Sequence, residues 1–224
     1  MARLPLDTGQ PAQSLWASSN RSHPEDYNCS TIQLGIEMKR YFLRTERLGF
    51  AHWSAGDLPL ALALWGDPKV MRFIGGPFTN EEIRDRLDRE IALSREYKVQ
   101  YWPIFLLENQ EHAGCAGLRP YRIEDLVYEL GIHLRSPYWH RGLAEEAGRA
   151  VIKFAFEDIG ANALFAGHHP ANSASQRLLL KLSFRATHEE FYAPTGLNHP
   201  SYLLTSALHP SRSTPKKRQG PHGL

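Results

Sequence analysis

Cysteine is scarce, with only Cys29 and Cys115 among 224 residues. Cys29 lies in a polar stretch that reads as a tail and Cys115 in an apolar stretch that reads as a buried strand. Neither a disulfide framework nor a cysteine-based metal site is expected, and a reducing compartment fits. Long apolar runs are missing too. No segment approaches the roughly 20 apolar residues of a membrane helix, and the opening M-A-R-L-P-L-D-T-G-Q-P has no continuous apolar centre for a secretory signal. The expectation is a cytoplasmic protein with no membrane partner, monomer or homodimer, in which the sequons at Asn20 and Asn28 are chance matches.

An excess of one charge is also absent. Lys and Arg number 26 against 24 Asp and Glu, a net charge of +2, and the two signs are interleaved along most of the chain. No basic face is predicted, hence no nucleic-acid partner. The sequence has no G-x-S-x-G elbow, no G-x-x-x-x-G-K-[ST] loop and no G-x-G-x-x-G turn, which removes the usual parts of hydrolases, kinases and dinucleotide-binding enzymes. His133, His140, His168 and His169 invite a zinc reading. With no H-E-x-x-H and no cysteine partners, no metal is expected.

What remains is enough for one sizeable core, since 42% of the residues are hydrophobic and 22% charged. Residues 1–37 are rich in Pro, Ser, Gln and Asn and are expected to be a disordered extension, with Met38 as the biological start. Residues 38–208 form the domain, and the basic segment 209–224 is a second tail. Asp57 is a candidate cap for a helix through Leu58, Leu62 and Trp65. Thr79 to Glu82 is a capping box ahead of Ile83, Leu87 and Ile91, with Glu and Arg on the other face. Tyr101 to Leu107 and His112 to Leu118 read as a hairpin, although Pro103 weakens its first strand. Ala163 to His168 is a further strand, Asn172 and Ser173 with Gln176 cap a helix carrying Leu178, Leu179 and Leu182, and Phe184 to Tyr192 and Tyr202 to Ala207 form a final antiparallel pair.

The informative stretch is Val127 to Ala147. Tyr128, Leu130, Ile132 and Leu134 alternate with Val127, Glu129, Gly131 and His133, the period-2 pattern of a strand with two unlike faces. After Ser136-Pro137 and His140-Arg141-Gly142, apolar residues recur at helical spacing from Leu143 to Phe154, so a helix begins at the glycine. Its free N–H groups and positive end suit an anion such as a pyrophosphate. Gly142 and Ala144 offer nearly bare backbone, and Arg141 adds a full charge. The plain alternative is a glycine turn whose Glu145 and Glu146 complement the helix dipole.

E-L-G-I-H-L, P-Y-W-H-R-G-L-A-E-E-A and N-S-A-S-Q-R-L-L-L-K-L-S-F (Asn172 to Phe184) together resemble the GNAT superfamily of N-acetyltransferases, in its RimJ/RimL-like branch, from about Leu43 to about Leu208. Trp139 stands where the family's glycine turn has Gln or Arg, while Gly142 and Ala144 match. The resemblance implies an α/β (α+β) GNAT fold: a mixed, mostly antiparallel sheet of six to seven strands flanked by helices, in the order β-α-α-β-β-β-α-β-α-β-β. It implies acetyl-CoA as cosubstrate and direct transfer to a primary amine, on a small molecule or a protein N-terminus. The backbone of Ile132, His133 and Leu134 would hold the pantetheine arm, and His140, Arg141, Gly142, Leu143 and Ala144 the pyrophosphate. Asn172 would meet the cofactor, or be a simple helix cap. Arg177 would reach phosphate, or lie on a solvated face.

An ammonium must lose its proton before it attacks a thioester, and amines titrate near ~8 to ~10.4, so a base helps. Glu129 is the candidate, with a solvated strand carboxylate as the equal alternative. Leu179 occupies the position where many of these enzymes place a tyrosine that protonates the thiolate. Water, Ser175 or Tyr138 would have to serve, or the chain is a catalytically degenerate acyl-CoA-binding regulatory module.

Overall fold

In the computed structural model, which describes residues 39–208, eight strands make one sheet. They are β1 (Leu43–Arg44), β2 (Leu48–Phe50), β3 (Tyr101–Leu106), β4 (His112–Arg122), β5 (Val127–Leu134), β6 (Ala163–Gly167), β7 (Arg185–Tyr192) and β8 (Leu197–Thr205). Their spatial order is β1-β2-β3-β4-β5-β6-β8-β7, and only β5 and β6 run parallel. The helices are α1 (Leu58–Trp65), α2 (Pro68–Met71), α3 (Asn80–Tyr97), α4 (Leu143–Phe154) and α5 (Ser173–Lys181). Both expected tails lie outside the described residues.

Alternate residues of the central strands feed two cores, as the pleat requires. Trp102, Ala116 and Leu130 join α4 and α5 on one face. Tyr101 and Cys115 join α1, α2 and α3 on the other. The capping box at Thr79 forms as expected, with Thr79 N donating to Glu82 Oε2 at 2.7 Å and Glu82 N to Thr79 Oγ1 at 3.3 Å.

Several local expectations are corrected. The single first strand is two short strands, because the chain doubles back at Thr45, whose N donates to Leu48 O at 2.9 Å. Asp57 stands at the N-cap position of α1 as expected, but its carboxylate makes no cap bond to the helix and is engaged by Ser54 N and Oγ and by Lys39. Pro103 sits inside β3 beside the end of β2: its carbonyl accepts from Ala51 N at 3.0 Å, and the reciprocal bond to Ala51 O is the one its missing N–H forgoes. β8 begins at Leu197 rather than Tyr202 and carries Pro200 at a register shift. On α3 the buried face runs Ile83, Leu87 and Glu90, so charged residues are not confined to the outer face.

Candidate functional site

The parallel pairing of β5 with β6 stops early. Val127, Tyr128 and Glu129 match Ala163, Leu164 and Phe165, and no later residue of β5 has a partner on β6. A cleft of about 690 Å³ opens from there, within the usual range for small-molecule sites. One end meets the start of α4. His140 and Gly142 both take left-handed backbone, φ 59° and 76°, and the first helical hydrogen bond runs from Glu146 N to Gly142 O at 3.1 Å. The N–H groups of Gly142, Leu143 and Ala144 therefore have no intrahelical partner, and all three residues line the cleft.

Glu146 does more than complement the dipole. Its carboxylate accepts from Thr45 Oγ1 (2.5 Å), Arg47 N (2.8 Å) and Arg47 Nε (2.6 Å), while Arg47 Nη1 donates to Arg141 O at 2.9 Å. The β1–β2 hairpin thus pins the turn. Arg141 departs from expectation. Its side chain points to Glu108 (3.6 Å) and lies 5.8 Å from the Tyr138 ring, outside the cleft lining. The cations along that wall are Arg177 and Lys181 on α5. Trp139 occupies its motif position for a visible reason: the indole Nε1 donates to Leu134 O at 2.8 Å and ties the turn to the end of β5. That carbonyl accepts one hydrogen bond there, and Ile132, His133 and Leu134 all line the opening. Asn172 is the cap of α5, its Oδ1 accepting from Ser175 N at 3.1 Å, and it lines the cleft as well. The cap lacks the expected Gln176 reciprocity.

At the floor, Glu129 shares a sheet face with Gly131 and His133. Burial raises the Glu129 pKa, and Arg119, Tyr101 and Arg86 pull it back. The tyrosine ring lies against Gly131 so closely that a Cβ there would sit 2.1 Å from its Cζ. Burial also drives His133 well below its usual pKa, with Arg86 and Arg119 adding to the effect. Its Nδ1 accepts from Trp65 Nε1 at 3.3 Å.

Cys115 Sγ is 3.7 Å from the same His133 nitrogen, a geometry that resembles a cysteine–histidine pair. Burial pushes that thiol up to about 12, and the residue is fully buried outside the cleft lining. It is a core thiol with almost no thiolate. No group of three or more His, Cys, Asp or Glu capable of holding a metal occurs among the described residues.

Sequence reading missed five contributors here. Arg86 and Glu90 fall on the Ile83–Leu87 face at helical spacing. Arg119 lies just beyond the expected end of β4, which continues to Arg122. At the far end, His199 and Tyr192 come from the last two strands and meet His169 from the loop after β6, with ring separations of 4.7 Å and 5.5 Å about His199. Beyond Phe73 and Ile74, which line this end, the Gly75 backbone lies so near Pro194 that a Cβ would be 2.7 Å from the proline's. Leu179 is buried and lines the cleft, so no tyrosine is supplied from α5. The Tyr138 hydroxyl is committed to Glu111 at 3.0 Å.

A strand that leaves its parallel neighbour opposite an uncapped helix start is an arrangement that can be compared with known proteins. The acetyltransferase (GNAT) domain family matches residues 47–185. The uncharacterized N-acetyltransferase p20 of Bacillus licheniformis is 30% identical over 145 residues, 64% of this chain and 82% of its own. A GNAT-family acetyltransferase from Bacillus anthracis superposes with a TM-score of 0.64 at 23% identity, over 74% of this chain and 98% of the other. RimL, a ribosomal L7/L12 α-N-protein acetyltransferase solved in complex with coenzyme A, superposes with a TM-score of 0.64 at 15% identity, over 74% and 98%. No helix among the described residues is long and apolar enough to cross a membrane. With sequence motifs, family match and sheet topology in agreement, this chain belongs to the GNAT acetyltransferase family.

Proposed function

We propose that this acetyltransferase draws its acetyl group from acetyl-CoA and passes it directly to a primary amine, of a small molecule or a protein N-terminus, within a unit spanning residues 38–208. The observation that carries the reading is the parting of β5 from β6 after Glu129, with the unpartnered N–H groups of Gly142, Leu143 and Ala144 at one end of the opening. Acetyl-CoA supplies a thioester carbonyl. The start of α4 suits its pyrophosphate, with Arg177 and Lys181 rather than Arg141 adding charge along the wall. The free edge of β5 at Ile132 and His133 suits the amide-bearing arm by strand-like pairing.

Glu129 takes the proton from the acceptor's ammonium, directly or through water. Burial raises its pKa toward the range useful for that task. Direct transfer is favoured because the one cysteine near the floor among the described residues, Cys115, is a buried neutral thiol. With Leu179 at the tyrosine position and the Tyr138 hydroxyl bound to Glu111, Ser175 and water remain to protonate the departing thiolate.

Titration calorimetry with acetyl-CoA, followed by thiol release across a panel of amines, tests the reading. Binding with amine-dependent release of CoA supports it. Binding with no release for any amine would favour the second reading, a regulatory acyl-CoA-binding module, which the buried Leu179 motivates. Absence of binding would overturn both.

A further inference from the structure

The charges around the floor do not balance in pairs. Glu90, fully buried on α3, accepts from Tyr101 N at 2.8 Å and from Arg119, whose Nε lies at 3.1 Å and whose Nη2 is also in contact. That pair is closed. Arg86, one turn earlier on the same helix face, makes no ion pair among the described residues. Its guanidinium faces the Trp65 ring at 4.6 Å and the Phe78 ring at 5.9 Å, and its Nε is buried with no hydrogen-bond partner. It nevertheless lines the cleft. A guanidinium has five donors and keeps its charge in proteins, so one held in a cavity beside a second cation and with an unused donor calls for an anion. Among the described residues the nearby carboxylates Glu90 and Glu129 act on Arg86 electrostatically, but neither is in ion-pair contact with it.

The far walls of the same cavity are aromatic. Phe73 packs on His169 at 5.1 Å, Tyr192 on His199 at 4.7 Å, and Phe191 lines the cleft although two-thirds of it is exposed. We propose that Arg86 receives the carboxylate of the acceptor, and that the acceptor is therefore a small amino acid-type amine whose apolar or aromatic body lies against Phe73, Phe191 and Tyr192. This rests on the acetyl-transfer reading. The amine nitrogen then faces Glu129 while the carboxylate pairs with Arg86, so both ends of an amino acid are fixed by groups on one floor.

The test compares L-phenylalanine, L-phenylalaninamide and 2-phenylethylamine, with the leucine and tryptophan series alongside, in thiol release by the full chain with acetyl-CoA. The acids should exceed their amides in kcat/KM by about 10- to 100-fold, the usual worth of a hydrogen bond to a charged group. Arg86→Gln should collapse that ratio to near one, and Arg86→Lys should keep part of it. Calorimetry with N-acetyl-L-phenylalanine and its amide gives a second measurement that needs neither turnover nor a variant, and the acid should bind more tightly. Equal behaviour of acids and amides, or a preference for amides and peptides, overturns the inference while the transfer reading stands. An equal loss on both in Arg86→Gln also overturns it, since Arg86 would then be a structural cation. Failure of acetyl-CoA to bind the wild-type chain is separate and removes the transfer reading itself.

Discussion

The Tyr101 ring rests on the bare backbone of Gly131, where a Cβ would lie 2.1 Å from its Cζ, and from there it favours the ionised form of Glu129. A side chain from β3 therefore stabilises the ionised form of the β5 residue nearest the end of the β5–β6 pairing. Burial acts in the opposite sense and prevails, so Glu129 titrates above the ordinary carboxylate range. Replacing it with Gln removes the basicity at nearly constant shape. Glu129→Gln should lower kcat by about 10² to 10⁴ while leaving acetyl-CoA affinity near wild type. Part of the rate should return as pH approaches the amine's own pKa. In the wild type, activity should rise with pH through the raised Glu129 value. Tyr101→Phe withdraws that influence from the carboxylate, so that limb should move to higher pH. Unchanged kcat in Glu129→Gln from pH 6 to 9 would place the base elsewhere.

The same shift has a stability consequence with a definite sign. Glu129 binds its proton more tightly folded than unfolded, so stability falls as pH rises from the ordinary carboxylate value, ~4.3, through the raised one. Glutamine has no such penalty. Glu129→Gln should melt at a higher temperature than wild type on the alkaline side of the activity limb. The difference should close below about pH 4, where both side chains are neutral. A variant less stable than wild type at pH 8 would show that the ionised carboxylate is a net support to Arg86 and Arg119.

At the start of α4 the obstacle to a side chain is conformation, not space. A Cβ on Gly142 would meet only Arg47 Nη2 at an ordinary 3.5 Å, but the residue sits at φ 76°. Gly142→Glu should cost about 1 to 2 kcal/mol of stability and abolish acetyl-CoA binding by bulk and like charge. Gly142→Asn, which tolerates left-handed backbone, should fold almost normally and bind more weakly than wild type. Wild-type affinity in Gly142→Glu, measured by calorimetry, would remove this turn from the binding site.

What the sequence disclosed follows from where its signals are local. The β5 alternation, the glycine before α4 and the Thr79 capping box each depend on residues within one or two turns, and each stands where expected. Arg86 and Glu90 were misplaced because charged residues at core spacing look like an outer face until a partner such as Arg119 is brought to them by a strand almost 30 residues further on. The Arg141 side chain was hidden for a similar reason: a basic residue before a helix suggests an anion, and spacing does not disclose that Glu108 from the β3–β4 turn lies 3.6 Å from it. Nothing in the spacing linked Tyr101 to Gly131. That contact exists because β3 and β5 both flank β4, which puts their same-face residues two strands apart with room for one ring between them.

Glu90 offers the sharpest test of how the floor is held. Its side chain is fully buried and its two oxygens are divided, Oε2 to Tyr101 N and Oε1 to Arg119. Removing one member of such a pair leaves the other charge buried and unmatched, a loss of about 3 to 5 kcal/mol, whereas replacing both by apolar residues of similar volume avoids the stranded charge. Glu90→Gln should therefore be severely destabilised in urea. Glu90→Leu combined with Arg119→Met should recover part of the loss, though not all, because Tyr101 N remains without its acceptor. The pair also governs the chemistry, since Arg119 is the largest influence lowering the Glu129 pKa. Arg119→Met should drive the activity limb to higher pH than Tyr101→Phe does. If Glu90→Gln unfolds within about 1 kcal/mol of wild type, the pair is not a closed ion pair in the folded protein, and Glu90 rather than an acceptor carboxylate becomes the counter-charge open to Arg86.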